Sequence, residues 1–523
     1  MSASVTRVEE AYRIARDLAD RRDIAAARGI DDRKTAESAA AAAARLRELL
    51  STLAPNADDQ RAIDVMRRWA EQDAAPQSGI NQETAAQGGA EQDAAPQSGT
   101  EQNTAPQNET PAERIERDYA DAQANVDIGD GETATRLAIL ERLSIEPDPE
   151  ERRRLFLALS DVWATIDGDG SADGSPYQRD LLPISRRRWS AGTSPVAANA
   201  RALGLEPEVV EPSLVAILET WRDAFATDAP IEPWDWWYVA GAASRALAAA
   251  TPLVRIAQIS DAYHASLGAD PATLDIGFDV LPRSQRPPVP VAYTEFGGRG
   301  GPGLRPTAWV MATYTSGGLG ELTELMHETG HAIHVSAIDT RPAFVDWPDS
   351  DAFTEAIAEI TALDTAEPRW QEHWLGTSVP VADSLRGRYA EIMLDICWAV
   401  LEIRIHADPL ARPNAVWAAL TSYYLSLIPH PELSWWAMRG QLVQEPGYMV
   451  NYALGPILAA DMRAAIRAVR GDWTHGDLGW YGWVSDHVYR YGLERSSGDV
   501  LADLLGRRPD ENALVSEIRR GIR

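Results

Sequence analysis

His327, Glu328 and His331 stand in the order H-E-x-x-H within GELTELMHETGHAIH, Gly320 to His334, of a 523-residue chain. On an α-helix the two histidines are four positions apart, so both imidazoles leave one face about one turn from each other. That arrangement suits two ligands of a tetrahedral zinc ion, one ion per chain. Glu328, next to the first histidine, can take a proton from a water at the metal. Leu322, Leu325, Met326, Ala332 and Ile333 mark the side of this helix that must be buried.

A catalytic zinc site keeps three protein ligands and one open position. The single cysteine, Cys397, lies in the apolar run MLDICWAV and reads as a buried small hydrophobe. The third ligand is therefore His, Glu or Asp. The stretch SDAFTEAIAEITAL, Ser350 to Leu363, predicts a helix that Ser350 or Asp351 can cap. Phe353, Ile357, Ile360 and Leu363 form its apolar face, and Glu355 and Glu359 lie at i and i+4 on another. Carboxylates among apolar neighbours are costly unless they bind a metal or a partner. Glu355 is assigned as the third ligand and Glu359 as the acceptor for a ligand histidine N–H. His334 is the alternative third ligand, but three ligands from eight residues of one helix would strain a tetrahedral site. A supporting or packing role suits it better.

The elements that must position these residues are mostly helices. Residues 4–70 carry helical patterns, among them TAESAAAAAARLRELLSTLA (Thr35 to Ala54) and a second helix near 58–70. AEQDAAPQSG then occurs twice, at Ala70 to Gly79 and Ala90 to Gly99, inside a polar Pro/Gly/Gln-rich tract; 71–111 is expected to be disordered. Helical patterns resume at Thr110, where Thr-Pro reads as an N-cap with proline at the first helical position. The one β-like region is 287–315, where PVPVAYTEF and AWVMATYT flank GGRGGPG. AWVMATYT is expected to offer an edge strand to an extended peptide. Long helices follow near 380–407, 411–428, 447–469, 480–493 and 497–507.

Composition narrows the function classes. Hydrophobic content of 45% and charged content of 24% fit a globular chain with a sizeable core. The net charge of −29 argues against sequence-independent nucleic-acid binding and against docking on anionic lipid. Nearly all basic residues are arginines, with one lysine, Lys34. No secretory signal and no run long enough to span a membrane is present, so the expected location is cytoplasmic. Oligomeric state is not legible.

HETGHAIH followed by FTEAIAE resembles the helical gluzincin metallopeptidases: thimet oligopeptidase and oligoendopeptidase F, angiotensin-converting enzyme, and the Taq-type carboxypeptidases. In the first two groups the third ligand is a Glu about 28 residues after the first histidine, the spacing of His327 and Glu355 here. IEPWDWWYVAG (Ile231 to Gly241) and LLGRRPDENAL (Leu504 to Leu514) are similar to further stretches of these families. The resemblance implies a mainly α fold of two helical halves around a deep cleft, with a small β-sheet next to the H-E-x-x-H helix. It covers 112–523 as the catalytic domain, with 1–70 as helices of a lid and 71–111 as a loop insertion. It implies zinc-dependent hydrolysis of short peptides with Glu328 as general base.

The families also carry late tyrosines that bind the oxyanion. PGYMVNYALGPILAADM aligns with that segment, which nominates Tyr448 and Tyr452. Thimet-type enzymes place a histidine a few residues before these tyrosines; QLVQEPGY has none, and Gln444 could donate in its stead. SWWAMRGQ resembles a further stretch, and its Arg439 could clamp a substrate carboxylate or lie in a salt bridge. Two other readings stay open: a related hydrolysis of a small amide or modified peptide, and a non-catalytic peptide-binding protein.

Overall fold

The structure, a computed structural model, describes residues 4–53, 59–74, 109–192, 194–225, 229–283, 288–289, 291–301 and 303–522. The body of the repeat tract expected to be disordered, 75–108, lies outside the described residues. The fold is mainly α. Five short strands are described: β1 (Val126–Gly129), β2 (Glu132–Ala134), β3 (Gly277–Asp279), β4 (Tyr293–Gly298) and β5 (Thr307–Met311). The chain falls into two compact units, one from Met1–Gln92, Thr251–Asp364 and Ala465–Arg507, the other from Asp93–Ala250, Thr365–Ala464 and Arg508–Arg523.

The first unit begins with helices α1 (Val5–Ala27), α2 (Arg33–Ser51) and α3 (Gln60–Gln72). Asp32 caps α2 by accepting the Thr35 N–H at 3.0 Å. Val8, Tyr12, Leu46, Leu49, Ile63 and Met66 form their common core together with Phe344. A three-stranded sheet follows in the order β3-β5-β4, with β3 parallel and β4 antiparallel to β5. The strand of AWVMATYT is thus central and not an edge, because β3, three residues of DIGFDV without a clear alternating pattern, pairs on its second side. That corrects the expected peptide-docking edge. β4 alternates half-buried and buried residues, as one covered face requires.

Behind the sheet runs the helix Gly318–Ala337, here the His helix, followed by Asp351–Ala362, the Glu helix. The His helix is entered through Gly317 at φ 72°, and Glu321 of its first turn accepts the N–H groups of Thr315, Ser316 and Gly317 at 2.9, 3.1 and 2.6 Å. Ser350 caps the Glu helix through the Phe353 N–H at 3.4 Å. The two helices cross at Gly330. A Cβ there would lie 2.6 Å from the Ala358 carbonyl oxygen and 2.9 Å from its Cα, so only glycine admits this approach.

The second unit holds the long helix Val381–Ala407, the helices Pro207–Phe225 and Pro413–Leu425, and most of Met449–Arg470. Thr110 and Glu113 form a reciprocal capping box with Pro111 at the first helical position. The β1–β2 hairpin interrupts a stretch whose pattern reads as helical. Asp130 and Gly131 at φ 54° and 80° make its turn, and the Asp-Gly pair is the local signal for it. Phe156 lies 5.6–6.1 Å from the rings of Trp163, Trp234, Trp237 and Trp435, an aromatic core to which PWDWW contributes two members. No helix among the described residues is long and apolar enough to cross a membrane.

Candidate metal centre

The Gly330–Ala358 crossing sets the Glu helix against the face of the His helix that carries the histidines. One ligand atom each from His327, His331 and Glu355 then lies within 4.8 Å of the others. His327 Nε2 is 3.4 Å from Glu355 Oε2, and His331 Nε2 is 3.9 Å from Glu355 Oε1. One turn on, Glu359 Oε1 is 3.1 Å from the other ring nitrogen of His327, Nδ1. A hydrogen bond there fixes the His327 ring and leaves Nε2 for a ligand. His334 does not join the cluster. Its ring packs against Trp347 at 5.9 Å and Tyr489 at 5.5 Å, and burial pushes its pKa down to about 3, so it stays neutral.

The donor set fits a divalent cation. His327 Nε2 and Glu355 Oε1 are buried and have no hydrogen-bond partner in the protein, a cost that a bound cation removes. Burial disfavours a charged His327, yet Glu355 and Glu359 outweigh it and raise its pKa well above the usual imidazole range. The carboxylates thus draw positive charge to the place where the ligand atoms converge. Two imidazoles and one carboxylate suit zinc.

Glu328 is fully buried on the His helix. Burial pushes its carboxyl up to about 8, against the opposing influence of His327 and the Thr294 hydroxyl. Thr294 of β4 lies 2.8 Å from Glu328 Oε2 and 2.9 Å from the Glu328 carbonyl oxygen. The Thr294 O–H anchors one carboxylate oxygen, while Glu328 Oε1 has no hydrogen-bond partner. Sequence reasoning missed Thr294, since a threonine in an alternating strand looks like any other β-former.

Tyr448, Tyr452, Arg439 and Gln444 belong to the second unit. The Tyr448 and Tyr452 rings are 5.4 Å apart at 78°, with Tyr448 buried and Tyr452 half-buried. Glu402, on the helix Val381–Ala407, accepts the N–H groups of Gly447 at 2.7 Å and Met449 at 3.3 Å, so it pins the backbone on both sides of Tyr448. Glu402 is a second residue the sequence did not reveal, because it lies 45 positions from the turn it holds. Gln444 is exposed at the end of the short helix Gln441–Gln444. Arg439, read as a carboxylate clamp or a salt-bridge residue, is buried in an ion pair with Asp395, its guanidinium 4.6 Å from the Trp398 ring. Of the two readings open for Arg439, the salt bridge is the one the structure displays: its fork meets a carboxylate inside the protein.

No family model matches the chain, and no curated protein matches it. Solved structures do. An M32 carboxypeptidase from Deinococcus radiodurans R1 is similar over 98% of this chain and 96% of its own, with a TM-score of 0.51 and 14% identity. PZ peptidase A, solved with an inhibitor, is similar over 99% of this chain and 96% of its own, with a TM-score of 0.52 and 13% identity. At such identities the likeness is one of fold, and it runs along nearly the whole chain.

Proposed function

We propose that this chain is a zinc-dependent metallopeptidase that hydrolyses peptide bonds in short oligopeptides. The observation that carries the reading is the convergence of His327, His331 and Glu355 within 4.8 Å beside the buried carboxylate of Glu328. The two solved structures of like fold, both peptidases by name, support it.

His327 Nε2, one nitrogen of His331 and a Glu355 oxygen would hold the ion. When bound, zinc supplies Lewis acidity to a carbonyl and brings the pKa of water toward neutrality. Glu328 acts as the general base at Oε1, the oxygen Thr294 leaves open, and takes the proton of the attacking water. The same carboxyl then passes that proton to the leaving amine. Burial pushes the Glu328 carboxyl up to about 8, and a cation held by the three ligands would oppose that effect. The family resemblance nominates Tyr448 or Tyr452 as the phenol donor to the oxyanion.

The decisive comparison is Glu328→Gln with the wild type. Both are expected to retain zinc, while kcat/KM on peptides falls about 10²- to 10⁴-fold in the variant. Equal activity in the two proteins would falsify the mechanism. The lack of a histidine in QLVQEPGY favours a second reading, a small amide or modified peptide as substrate. Failure of the zinc-loaded protein to cut any member of an unmodified peptide library would select it.

A further inference from the structure

Asp346 and Trp347 lie between the His helix and the Glu helix. The half-buried Trp347 ring stands among three others: Phe296 of β4 at 5.2 Å and 71°, His331 at 5.6 Å and 81°, and His334 at 5.9 Å and 48°. A rigid indole is thus set edge-to-face against the imidazole of a candidate ligand. Behind it, Asp346 Oδ1 accepts the Trp347 N–H at 3.0 Å.

Asp346 is gripped from two sides. Arg16 of α1 meets it at 2.9 and 3.1 Å, and Arg299, just past β4, meets it at 3.2 Å. Arg299 also binds Asp20 of α1 at 2.6 Å and the Val345 carbonyl at 2.5 Å, with its guanidinium 3.7 Å from the Phe296 ring. These pairs are largely shielded from solvent, so salt screens them little, and the planar guanidinium forks fix the carboxylate in direction as well as distance. An unbroken physical path runs from α1 through Asp346 to Trp347 and on to His331. Tight metal binding needs ligands whose rotamers are already held by their surroundings.

We propose that Trp347 is a positioning residue for His331, held in place by Arg16 through Asp346, so that the N-terminal helix α1 governs how tightly the site keeps a divalent cation. This rests on the three-ligand site proposed above. The test loads the full chain with Zn²⁺ and follows its transfer to a chromophoric chelator, with the Co²⁺ absorption spectrum as a second readout of ligand geometry. Trp347→Leu is expected to lose about 10- to 100-fold in Zn²⁺ affinity and to shift the Co²⁺ bands. Trp347→Phe, which keeps a ring against His331, is expected to recover most of the loss.

Arg16→Met is expected to weaken Zn²⁺ retention in the same sense, by a smaller factor. Arg341→Met is the control. Arg341 ties Glu9 of α1 at 2.9 Å and Asp59 at 3.0 Å without reaching Trp347, so its loss should lower Tm and leave Zn²⁺ retention unchanged. Wild-type retention in Trp347→Leu overturns the proposal, as does an equal loss in Arg16→Met and Arg341→Met. If Trp347→Leu does not fold, Arg16→Met decides alone, and unchanged retention there overturns it. A wild-type protein that holds no Zn²⁺ overturns the underlying site itself, and with it this proposal.

Discussion

In the first unit, His327 Nε2, Glu328 Oε1 and Glu355 Oε1 are buried polar atoms without a hydrogen-bond partner. In the Arg439–Met449 stretch of the second unit, the buried charged groups are matched inside the protein: Arg439 with Asp395, and the N–H groups of Gly447 and Met449 with Glu402, while Gln441 Oε1 is the one buried side-chain atom there without a hydrogen-bond partner among the described residues. One stretch converges ligand atoms of two imidazoles and a carboxylate on one point, and the other closes its arginine in an ion pair. Buried polar groups without partners cost stability, and those at the metal centre are the ones a bound cation would complete. Matched pairs hold a shape. The comparison separates residues placed to bind a ligand from residues placed to hold the fold, and the ion pair with Asp395 sets Arg439 among the second.

The largest effects should come from the metal centre. Glu355→Gln is expected to weaken Zn²⁺ binding by more than the 10- to 100-fold typical of an outer partner, with peptidase activity falling in step; chelator competition checks it. Retention equal to wild type would mean that the carboxylate is not a ligand. Tyr448→Phe and Tyr452→Phe test the second unit. The one that serves the oxyanion should lose about 10²- to 10³-fold in kcat with Zn²⁺ content unchanged. Two unaffected variants would leave both tyrosines with packing roles alone.

Arg439→Met should act on stability and not on substrate. It removes the buried guanidinium that faces the half-buried Asp395, at a cost of up to about 3–5 kcal/mol, while KM in the surviving folded protein stays near wild type. A several-fold rise in KM for substrates with a free carboxylate, without loss of Tm, would restore the clamp. Gly330→Ala gains up to about 1 kcal/mol of helix propensity but forces the helices apart, at about 1–3 kcal/mol. The net expectation is a lower Tm together with weaker Zn²⁺ binding, because the crossing sets the ligand distances.

A further effect is pH-dependent. His264 and His334 of the first unit and His406 of the second are buried neutral, with pKa values pushed by burial to about 4, 3 and 4 from an ordinary 6.5. The unfolded chain therefore binds more protons below pH 6.5, and stability falls as pH drops from 6.5 toward the folded values. Each group contributes up to about 1.4 kcal/mol per pH unit across that window. His334→Phe should flatten the Tm–pH curve between pH 6 and 4. An unchanged slope would count against its neutral burial.

Helix after helix was legible because hydrophobic spacing, caps and prolines act within a few residues: Ser350 before the Glu helix, Thr110-Pro111, and the run Val381–Ala407. The hairpin at 126–134, outside the one β-like region expected at 287–315, was not legible, because the surrounding helical pattern masked its single local signal, Asp130-Gly131. β3 was not, since three residues of strand become a strand only when β5 lies beside them.

By itself the sequence determined the chemistry available. H-E-x-x-H puts two imidazoles on one helical face whatever surrounds the helix, and the Glu355 and Glu359 spacing does the same for two carboxylates. Tertiary structure alone decided which of these meet. The Gly330 crossing brings Glu355 to the histidines, Thr294 arrives from a strand 34 positions earlier to hold Glu328, Trp347 edges His331, and Asp395 takes Arg439 out of use. Local spacing fixes the direction of a side chain, but distances between segments come only from packing, and a metal site depends on both.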